Sequence, residues 1–276
     1  MSAATSEPAR TALMLTELRL PTIGRLWPEF AERADKEGWP ASRFLGALLE
    51  HELAERAKRR IERHRHESQL DLAKTLASFA FAEVPMLSKA HVMALAGGDA
   101  WLEKGANILI FGPPGVGKTH VACAIGHELV RRGRRVYFTA TYALVQRLLA
   151  ARRDLRLEKE LARLDRFDAV ILDDIGYVQQ SREEMEVLFT FLAERYERKS
   201  VLITSNLVFS EWDKIFKDPM TTMAAIDRLI HHAVILEMVG VSVRADEAEQ
   251  ANRNTGASAR GARSRAPGAT THGAES

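Results

Sequence analysis

The chain has 276 residues, of which 46% are apolar and 28% are charged, and its formal net charge is +2. These values are typical of a globular protein with one large domain or two modest ones, and no apolar run approaches the roughly 20 residues that span a bilayer. The single cysteine, Cys123, excludes an intrachain disulfide, and the polar first ten residues lack the apolar core of a signal peptide. We therefore expect a cytoplasmic protein, not bound to a membrane, in which Cys123 only packs within a helix.

The amino-terminal part of the chain shows helical patterns. Residues 1–10 are polar and are expected to be disordered, whereas residues 11–82 predict a separate helical domain. Ser42 is expected to cap a long helix, because its hydroxyl can accept a hydrogen bond from the first turn. The phenylalanines within residues 77–82 predict that this segment docks onto the next domain.

The second half of that long helix is basic. Few acidic residues offset its charge, which favours contact with DNA or a partner over a merely solvated face. His64 and His66 lack neighbouring metal ligands and are interpreted as part of the polar face. The basic residues are Arg56, Lys58, Arg59, Arg60, Arg63 and Arg65.

A glycine-rich segment at residues 112–119 fits G-x-x-x-x-G-K-[ST], the P-loop pattern for binding nucleoside triphosphates. The apolar run 107–111 before it predicts a buried strand, and Val121, Ile125 and Leu129 recur at helical spacing after it. In this setting, loop N–H groups and the helix amino terminus bind phosphate. The residues expected to bind ATP are Gly112, Pro113, Pro114, Gly115, Val116, Gly117, Lys118, Thr119 and His120.

Two P-loop residues have specific predicted roles. Lys118 is expected to reach the β- and γ-phosphates of ATP, and the Thr119 hydroxyl is expected to ligate Mg²⁺. We also expect the Lys118 side chain to face solvent, so that its removal leaves core packing intact. A glycine-rich turn with a chance Lys-Thr pair is the alternative, which the flanking strand and helix disfavour.

Residues 83–245 are predicted to form an α/β domain. Four further apolar runs predict strands at 135–139, 169–172, 201–204 and 233–236, with helical patterns between them. This alternation is typical of a parallel sheet covered by helices on both faces. No Leu, Ile, Val, Met, Phe, Tyr or Trp follows Val243, so residues 246–276 are expected to be disordered.

Two carboxylates, Asp173 and Asp174, follow the third predicted strand. Ligands bind at the carboxyl ends of parallel strands, so the pair is expected to lie beside the P-loop. Asp173 is predicted to hold Mg²⁺ and Asp174 to polarise the attacking water. Asn206 follows the next strand, either as a turn residue or as a side chain that orients the water. Arg228 either pairs with Asp227 or, in a head-to-tail assembly, reaches a neighbour's γ-phosphate.

A second basic stretch lies between the second and third predicted strands. Its positive residues are candidates for neutralising DNA phosphates, with little sequence specificity. Acidic residues alternate with them, so a salt-bridged, solvated helix is the alternative. The positive residues are Arg147, Arg152, Arg153, Arg156, Lys159, Arg163 and Arg166, and the acidic ones are Asp154, Glu158, Glu160 and Asp165.

The order of these motifs resembles the IstB family. IstB proteins are the helper ATPases of insertion sequences and are relatives of the helicase loader DnaC and of the initiator clade of AAA+ proteins. The likeness spans roughly residues 13–244, and Ser-Glu-Trp at 210–212 and Asp-Arg-Leu-Ile-His-His-Ala at 227–233 are not generic to P-loop proteins. The other matching segments are 18–21, 101–105, 172–177, 195–198 and 204–206.

The resemblance implies an AAA+ ATPase that binds ATP and Mg²⁺ and forms homo-oligomers on DNA. By this likeness the assembly recruits and stimulates a transposase, and hydrolysis resets it. Asn206 becomes the residue that senses the γ-phosphate (sensor 1), and Arg228 becomes a finger that acts in trans. The likeness also implies no helical lid after the last strand, so closure comes from neighbouring subunits.

Three features depart from the family pattern. Asp174 stands where the family more often has Glu, and we expect the shorter side chain to slow hydrolysis. Val243 replaces a tyrosine of the family's closing segment. The arginine-containing tail after residue 245 has no counterpart in the pattern.

Three other functions stay open. A replicative helicase loader would use the same ATP site with a different partner. A small-molecule kinase would need an acceptor pocket and usually an arginine-rich lid, and neither is visible in the sequence. A nucleotide-dependent scaffold with negligible turnover is compatible with Asp174.

Overall fold

The computed structural model describes residues 7–176, 181–208, 211–212 and 226–239, and its first three helices form the amino-terminal region. They are α1 (Glu7–Glu17), α2 (Pro21–Glu37) and α3 (Ala41–Glu67). α2 packs along α3, and the buried carboxylate of Glu52 on α3 accepts hydrogen bonds from the N–H groups of Thr22 (2.8 Å) and Ile23 (3.1 Å). A carboxylate at this end of α2 satisfies N–H groups that have no partner within the helix.

Two of these helices begin where the sequence pattern did not place them. α1 starts at Glu7, so residues 7–10 are helical rather than disordered. α3 starts at Ala41, after Pro40 in an extended conformation (φ −65°, ψ 149°). The prediction that Ser42 caps this helix is wrong, because Ser42 lies inside the first turn and no side chain caps α3.

The end of α3 is fixed to the sheet. Glu67 pairs with Arg135 at 2.8 Å, and the N–H of Phe138 donates to the carbonyl of Ser68 at 2.7 Å. His64 is buried at this junction, where burial and then the charge of Arg135 lower its pKa. The interpretation of His64 as part of a polar face is therefore wrong, whereas His66 is exposed as expected.

A connecting segment, defined as residues 68–84, leads from α3 to the following domain and contains a 3₁₀ turn, Phe81–Glu83. Phe79 and Phe81 meet edge to face, with ring centroids 4.8 Å apart, and both pack against the core beneath the sheet. The prediction that this segment docks onto the next domain is confirmed. Two further helices, α4 (Lys89–Gly97), which is capped by Ser88, and α5 (Asp99–Leu102), lie between this segment and the first strand.

Five parallel strands form one sheet in the order β2-β3-β4-β1-β5. The strands are β1 (Ile108–Phe111), β2 (Val136–Ala140), β3 (Ala169–Ile175), β4 (Ser200–Ser205) and β5 (Val234–Glu237). The helices between them are α6 (Lys118–Arg131), α7 (Thr141–Arg153), α8 (Leu157–Leu164) and α9 (Arg182–Arg195). The predicted five-stranded parallel sheet is confirmed, and β4 lies between β1 and β3.

Alternate residues of β1 face opposite sides of the sheet, as the two-residue period of a strand requires. Ile108 and Ile110 belong to a core with α4 and α6, whereas Leu109 and Phe111 belong to a core with α7 and α9. Both faces are therefore covered, which explains why the strands read as continuous apolar runs. Cys123 of α6 lies in the first core, where burial raises the pKa of its thiol to about 11.

Some predictions concern residues outside the described ranges. They are the family segment around Tyr177, the residues 209–210, Val243, the disordered tail at 246–276 and the absence of a helical lid. In the described ranges, no helix is both long enough and apolar enough to cross a membrane.

Candidate nucleotide-binding site

The P-loop forms the connection from β1 to α6. Gly115 and Gly117 have left-handed backbones (φ 87° and 93°), which glycine adopts without a Cβ clash. A Cβ added at Gly112 would lie 2.3 Å from the carbonyl oxygen of Met238, so the end of β5 closes directly against the loop. The strand, loop and helix that the sequence predicted are present, and the amino end of α6 adjoins the loop, as phosphate binding requires.

The Lys118 side chain does not face solvent, contrary to the expectation from sequence. It is only 7% exposed, and its ammonium donates to the carbonyls of Gly112 (2.8 Å) and Pro113 (2.9 Å). These two contacts close the loop on itself. Removing the ammonium would therefore alter the loop as well as any contact with a ligand.

Three hydroxyl groups converge on Asp173 at the carboxyl edge of the sheet. Thr119 Oγ1 donates to its carboxylate at 2.9 Å, and Thr204 Oγ1 donates to it at 2.6 Å. Thr141 Oγ1 donates to its backbone carbonyl at 3.0 Å. Asp173 of β3 therefore contacts the P-loop, β4 and α7. The strand order explains the contact with Thr204, because β4 is the direct neighbour of β3 and lies between it and β1. Neither Thr141 nor Thr204 was assigned a role from the sequence.

Asp174 has a left-handed backbone (φ 62°) at a register shift between β3 and β4. Aspartate adopts this conformation more readily than most residues. The N–H of Asp174 donates to Thr204 Oγ1 at 2.9 Å, so Thr204 holds both aspartates. Asp174 is exposed and lines the same cavity as the P-loop.

A cavity of about 500 Å³ lies between the P-loop and the connecting segment. Asn206 lines it together with Asp174, and Asn206 Oδ1 is buried with no hydrogen-bond partner in the part of the chain that the structure describes. One wall of this cavity was not predicted from the sequence, because only tertiary packing brings the connecting segment beside the P-loop. That wall consists of Lys74, Ser78, Phe79, Ala80, Glu83 and Val84.

The donor set of the cavity fits a nucleoside triphosphate with a magnesium ion. The Lys118 ammonium and the glycine-rich backbone match the negative charge of phosphates. The Thr119 hydroxyl and the Asp173 carboxylate, 2.9 Å apart, are the hard oxygen ligands that Mg²⁺ takes in proteins. The cavity volume also lies within the usual span of small-molecule sites, about 300–1,000 Å³.

Arg228 lies at the edge of the sheet opposite the P-loop. It precedes β5, and the carbonyl of the next residue, Leu229, accepts a 3.1 Å hydrogen bond from Asn107, just before β1. β1 is four residues long, so at roughly 3.3 Å per residue the P-loop begins about 13 Å further along. Arg228 is exposed, and among the described residues neither Asp227 nor any other carboxylate forms an ion pair with it.

The arginines of α3 that were predicted to contact DNA divide into two groups. Arg56 and Arg59 pair with the buried carboxylate of Glu52 at 2.9 and 3.5 Å, so part of their charge holds α2 to α3. Arg60 and Arg63 are exposed. The second group is the better placed for contact with phosphates.

The basic stretch at residues 147–166 divides in the same way. Arg147 and Arg163 share Glu160, and Arg152 pairs with Glu186 at 3.0 Å. The corner between α7 and α8 protrudes, since Leu155 at its tip is 94% exposed. Three further cations near this corner, Arg153, Arg156 and Lys159, are exposed and form no ion pair within the described ranges, and the same is true of Arg166 beyond the far end of α8.

The fold and the site together define a P-loop ATP-binding protein of the AAA+ class. Among solved structures, AMPPCP-bound DnaA from Aquifex aeolicus has a similar fold, with a TM-score of 0.51. Sequence identity in that comparison is 20%, over 62% of this chain and 51% of DnaA. At this identity the likeness concerns the fold alone.

The family described as IstB-like ATP binding protein matches residues 13–251, and the chain belongs to that family. A Sinorhizobium fredii protein described as an insertion sequence ATP-binding protein is 58% identical over 252 residues, which cover 91% of this chain and 85% of the relative. The corresponding protein of insertion sequence IS21 from Pseudomonas aeruginosa is 36% identical, over 87% of this chain and 90% of its own. The resemblance drawn from the sequence motifs is confirmed.

Proposed function

We propose that this chain is the ATPase of an insertion sequence, which assembles on DNA when bound to ATP, recruits and stimulates a transposase, and is reset by hydrolysis. The observation that carries the proposal is the series of contacts from Thr119 through Asp173 and Thr204 to Asp174. It supports a pair of metal ligands and a candidate general base at one edge of the sheet. ATP binding alone would not need a second carboxylate held in this way.

Each residue of the site has a role in the proposed hydrolysis. Lys118 directs its ammonium at phosphate oxygens. Thr119 and Asp173 would hold Mg²⁺, which would supply positive charge to neutralise the phosphates. Asp174 accepts a proton from the attacking water. Asn206 orients that water through Oδ1, the buried oxygen that has no protein partner among the described residues.

The position of Arg228 supports assembly. An arginine at the amino edge of the sheet is about one strand length from the P-loop of its own subunit. It is exposed, and in a head-to-tail assembly the same edge would face the carboxyl edge of a neighbour. We propose that Arg228 completes the neighbour's site and stabilises the charge that develops on the transferred phosphate.

DNA contact is proposed at two exposed basic surfaces. The first is the α7–α8 corner, where Arg153, Arg156 and Lys159 have no acidic partner within the described ranges. The second is the exposed side of α3 with Arg60 and Arg63. Both present cations without a pattern of base-reading side chains, so binding should depend on salt more than on DNA sequence.

The proposed partner follows from the family. The relatives in S. fredii and P. aeruginosa are named for insertion sequences, which supports a transposase rather than a replicative helicase. A helicase loader would use the same ATP site and remains the alternative. The kinase and the scaffold differ from the proposal in the fate of the γ-phosphate, which can be measured directly.

The test measures ATP hydrolysis, its stimulation by DNA and the binding of a transposase. Phosphate release from ATP would be measured with and without double-stranded DNA, and any transposase encoded by the adjacent gene would be offered to the ATP-bound, DNA-associated protein. We expect DNA to stimulate phosphate release and the transposase to bind only the ATP form. Capture of a replicative helicase instead would establish the loader, transfer of phosphate to a metabolite would establish a kinase, and ATP-dependent assembly without turnover would establish a scaffold.

A further inference from the structure

The connecting segment runs along one side of α6. His127 Nε2 lies 2.9 Å from the carbonyl oxygen of Asp71, and His120 Nε2 lies 2.9 Å from that of Thr75. Positions 120 and 127 are about two helical turns apart, so the two histidines share one face of α6. The segment is therefore antiparallel to α6, and it leads toward the P-loop as its residue numbers rise.

The contacts of His120 define where its proton points. A carbonyl oxygen only accepts hydrogen bonds, so Nε2 must carry a hydrogen to bond with Thr75. The Ser78 hydroxyl lies 3.1 Å from the same nitrogen and donates its own hydrogen to the carbonyl of Ala73 at 2.6 Å, so it too can accept from His120. Although the ring borders the cavity, its Nε2 donor is directed at the connecting segment.

The segment that His120 contacts is a tightly bonded turn. Ser78 Oγ accepts from the N–H of Thr75 at 3.0 Å, and the N–H of Ser78 donates to Thr75 Oγ1 at 3.2 Å. The next residue, Phe79, meets the His120 ring edge to face at 5.2 Å. Phe79 also covers Gly117, where an added Cβ would lie 2.8 Å from its ring. The turn and Phe79 therefore form one bonded unit that packs against the P-loop.

We propose that His120 is a positioning residue that holds the connecting segment over the P-loop and so forms one wall of the nucleotide cavity, rather than contacting the nucleotide. This deepens the proposed ATPase function and rests on it, because the wall and the P-loop enclose the same ligand. The wall residues Ser78 and Phe79 contact His120 directly, whereas Thr119 at the preceding position contacts Asp173. Adjacent residues of α6 thus serve different sides of the site.

The same contact ties the cavity to the helices before it. The connecting segment starts at Ser68, directly after α3, and the Ser68 carbonyl is bonded to β2 through the N–H of Phe138. The segment that His120 holds over the P-loop is therefore continuous with α3 at its other end.

The first measurement separates affinity from turnover. In the His120→Ala variant we expect the KM for ATP and the Kd for a non-hydrolysable ATP analogue to rise about 10-fold, since one shared hydrogen bond and one ring contact are lost. kcat should stay within about 2-fold, because Asp173, Asp174 and Thr204 are untouched. Hydrogen exchange should accelerate in residues 68–84.

Conservative variants separate positioning from direct contact. The amide of Gln carries an N–H donor at nearly the same reach as His Nε2, so His120→Gln should restore affinity to within roughly 3-fold of wild type, whereas His120→Asn is too short and should not. Ser78→Ala should weaken binding in the same sense, and the double variant His120→Ala/Ser78→Ala should be little weaker than His120→Ala alone. His91→Ala, an exposed histidine on α4, is the matched control and should bind as wild type.

Each alternative has a distinct result. Unchanged affinity in a folded His120→Ala variant would overturn the inference. Loss of affinity in both His120→Ala and His120→Gln, with Ser78→Ala unaffected, would also overturn it and would establish direct contact between His120 and the nucleotide. Failure of the wild-type protein to bind the analogue would overturn the proposed function itself, and it would be evident before any variant is compared.

Discussion

The hydroxyl of Thr204 donates a 2.6 Å hydrogen bond to the carboxylate of Asp173. The same oxygen accepts a 2.9 Å hydrogen bond from the N–H of Asp174. A single threonine at the end of β4 therefore fixes two consecutive aspartates of β3 that have different proposed roles. This arrangement depends on the strand order, because β4 lies between β3 and the strand that carries the P-loop.

Replacing Thr204 with valine tests this arrangement. The variant Thr204→Val keeps the shape of the side chain but removes both hydrogen bonds, so Asp174 loses the support of its strained backbone. We expect kcat to fall about 10- to 100-fold with ATP affinity nearly unchanged. Thr190→Val, at an exposed position of α9, is the control, and equal turnover in the two variants would remove Thr204 from the catalytic arrangement.

Asp174 is proposed as the general base. The variant Asp174→Asn retains the size and tolerates the left-handed backbone, yet its amide cannot take a proton. We expect normal ATP binding, with hydrolysis reduced about 10²- to 10⁴-fold, and accumulation of the ATP-bound, DNA-associated form. Asp35→Asn on the exposed side of α2 serves as the comparison. Wild-type turnover in Asp174→Asn would assign the base to another residue.

Removing the Lys118 ammonium should have two effects. Lys118→Ala loses the phosphate contact and also the two hydrogen bonds to the carbonyls of Gly112 and Pro113, so the loop should become more mobile. We expect no measurable ATP binding, a fold that is intact by circular dichroism, and faster hydrogen exchange confined to residues 112–117. Lys36→Ala, an exposed lysine of α2, should bind ATP normally. ATP affinity equal to wild type in Lys118→Ala would contradict the P-loop assignment.

The trans role of Arg228 predicts complementation between two inactive proteins. Arg228→Ala should bind ATP almost normally and lose hydrolysis by about 10³-fold or more. Mixed with Lys118→Ala, it should regain partial activity, because one subunit supplies an intact P-loop and its neighbour supplies the arginine. The assay is the ATPase rate against mixing ratio in the presence of DNA. No recovery at any ratio, with mixed oligomers shown to form, would count against a role in trans.

Glu52 should set the acid stability of the helical region. Burial raises the pKa of Glu52, but hydrogen bonds from Arg56 and from the backbone of Ile23 and Thr22 outweigh it, and the pKa lies below the ordinary 4.5. A carboxyl with a lowered folded-state pKa stabilises the fold above its unfolded-state pKa, and this stability is lost as pH falls through the folded-state value.

We therefore expect Glu52→Gln to reduce the free energy of unfolding by roughly 1–3 kcal/mol at neutral pH, and to flatten its decline below about pH 4.5. Thermal and urea unfolding at several pH values would measure both effects. Glu50→Gln, exposed on the same helix, is the matched control and should change neither quantity. Identical pH profiles in the wild-type protein and Glu52→Gln would show that this carboxylate does not stabilise the fold.

The sequence by itself determined the sheet and its ATP-binding edge. Continuous apolar runs predict strands buried on both faces. A P-loop motif between such a strand and a helix indicates a phosphate-binding loop at the carboxyl end of that strand. The placement of Asp173, Asp174 and Asn206 at the same edge followed from the direction of parallel strands. Membership of the family was also evident from local motifs, because these consist of neighbouring residues.

Only the tertiary structure decided which side chains meet across long sequence distances. The contact of His120 with Ser78 and the Thr204–Asp173 hydrogen bond join segments whose local patterns carry no sign of one another, and the docking predicted for residues 77–82 did not reveal that residues 74–84 line the cavity. Lys118 was expected to face solvent because the sequence shows only a lysine at the end of a loop. The two loop carbonyls that accept hydrogen bonds from its ammonium become visible only in the structure. His64 was expected on a polar face because its neighbours in the sequence are polar. Its burial results from the contact between α3 and β2, which the sequence pattern does not show. Helical periodicity orders residues around one helix, whereas burial depends on what that helix packs against.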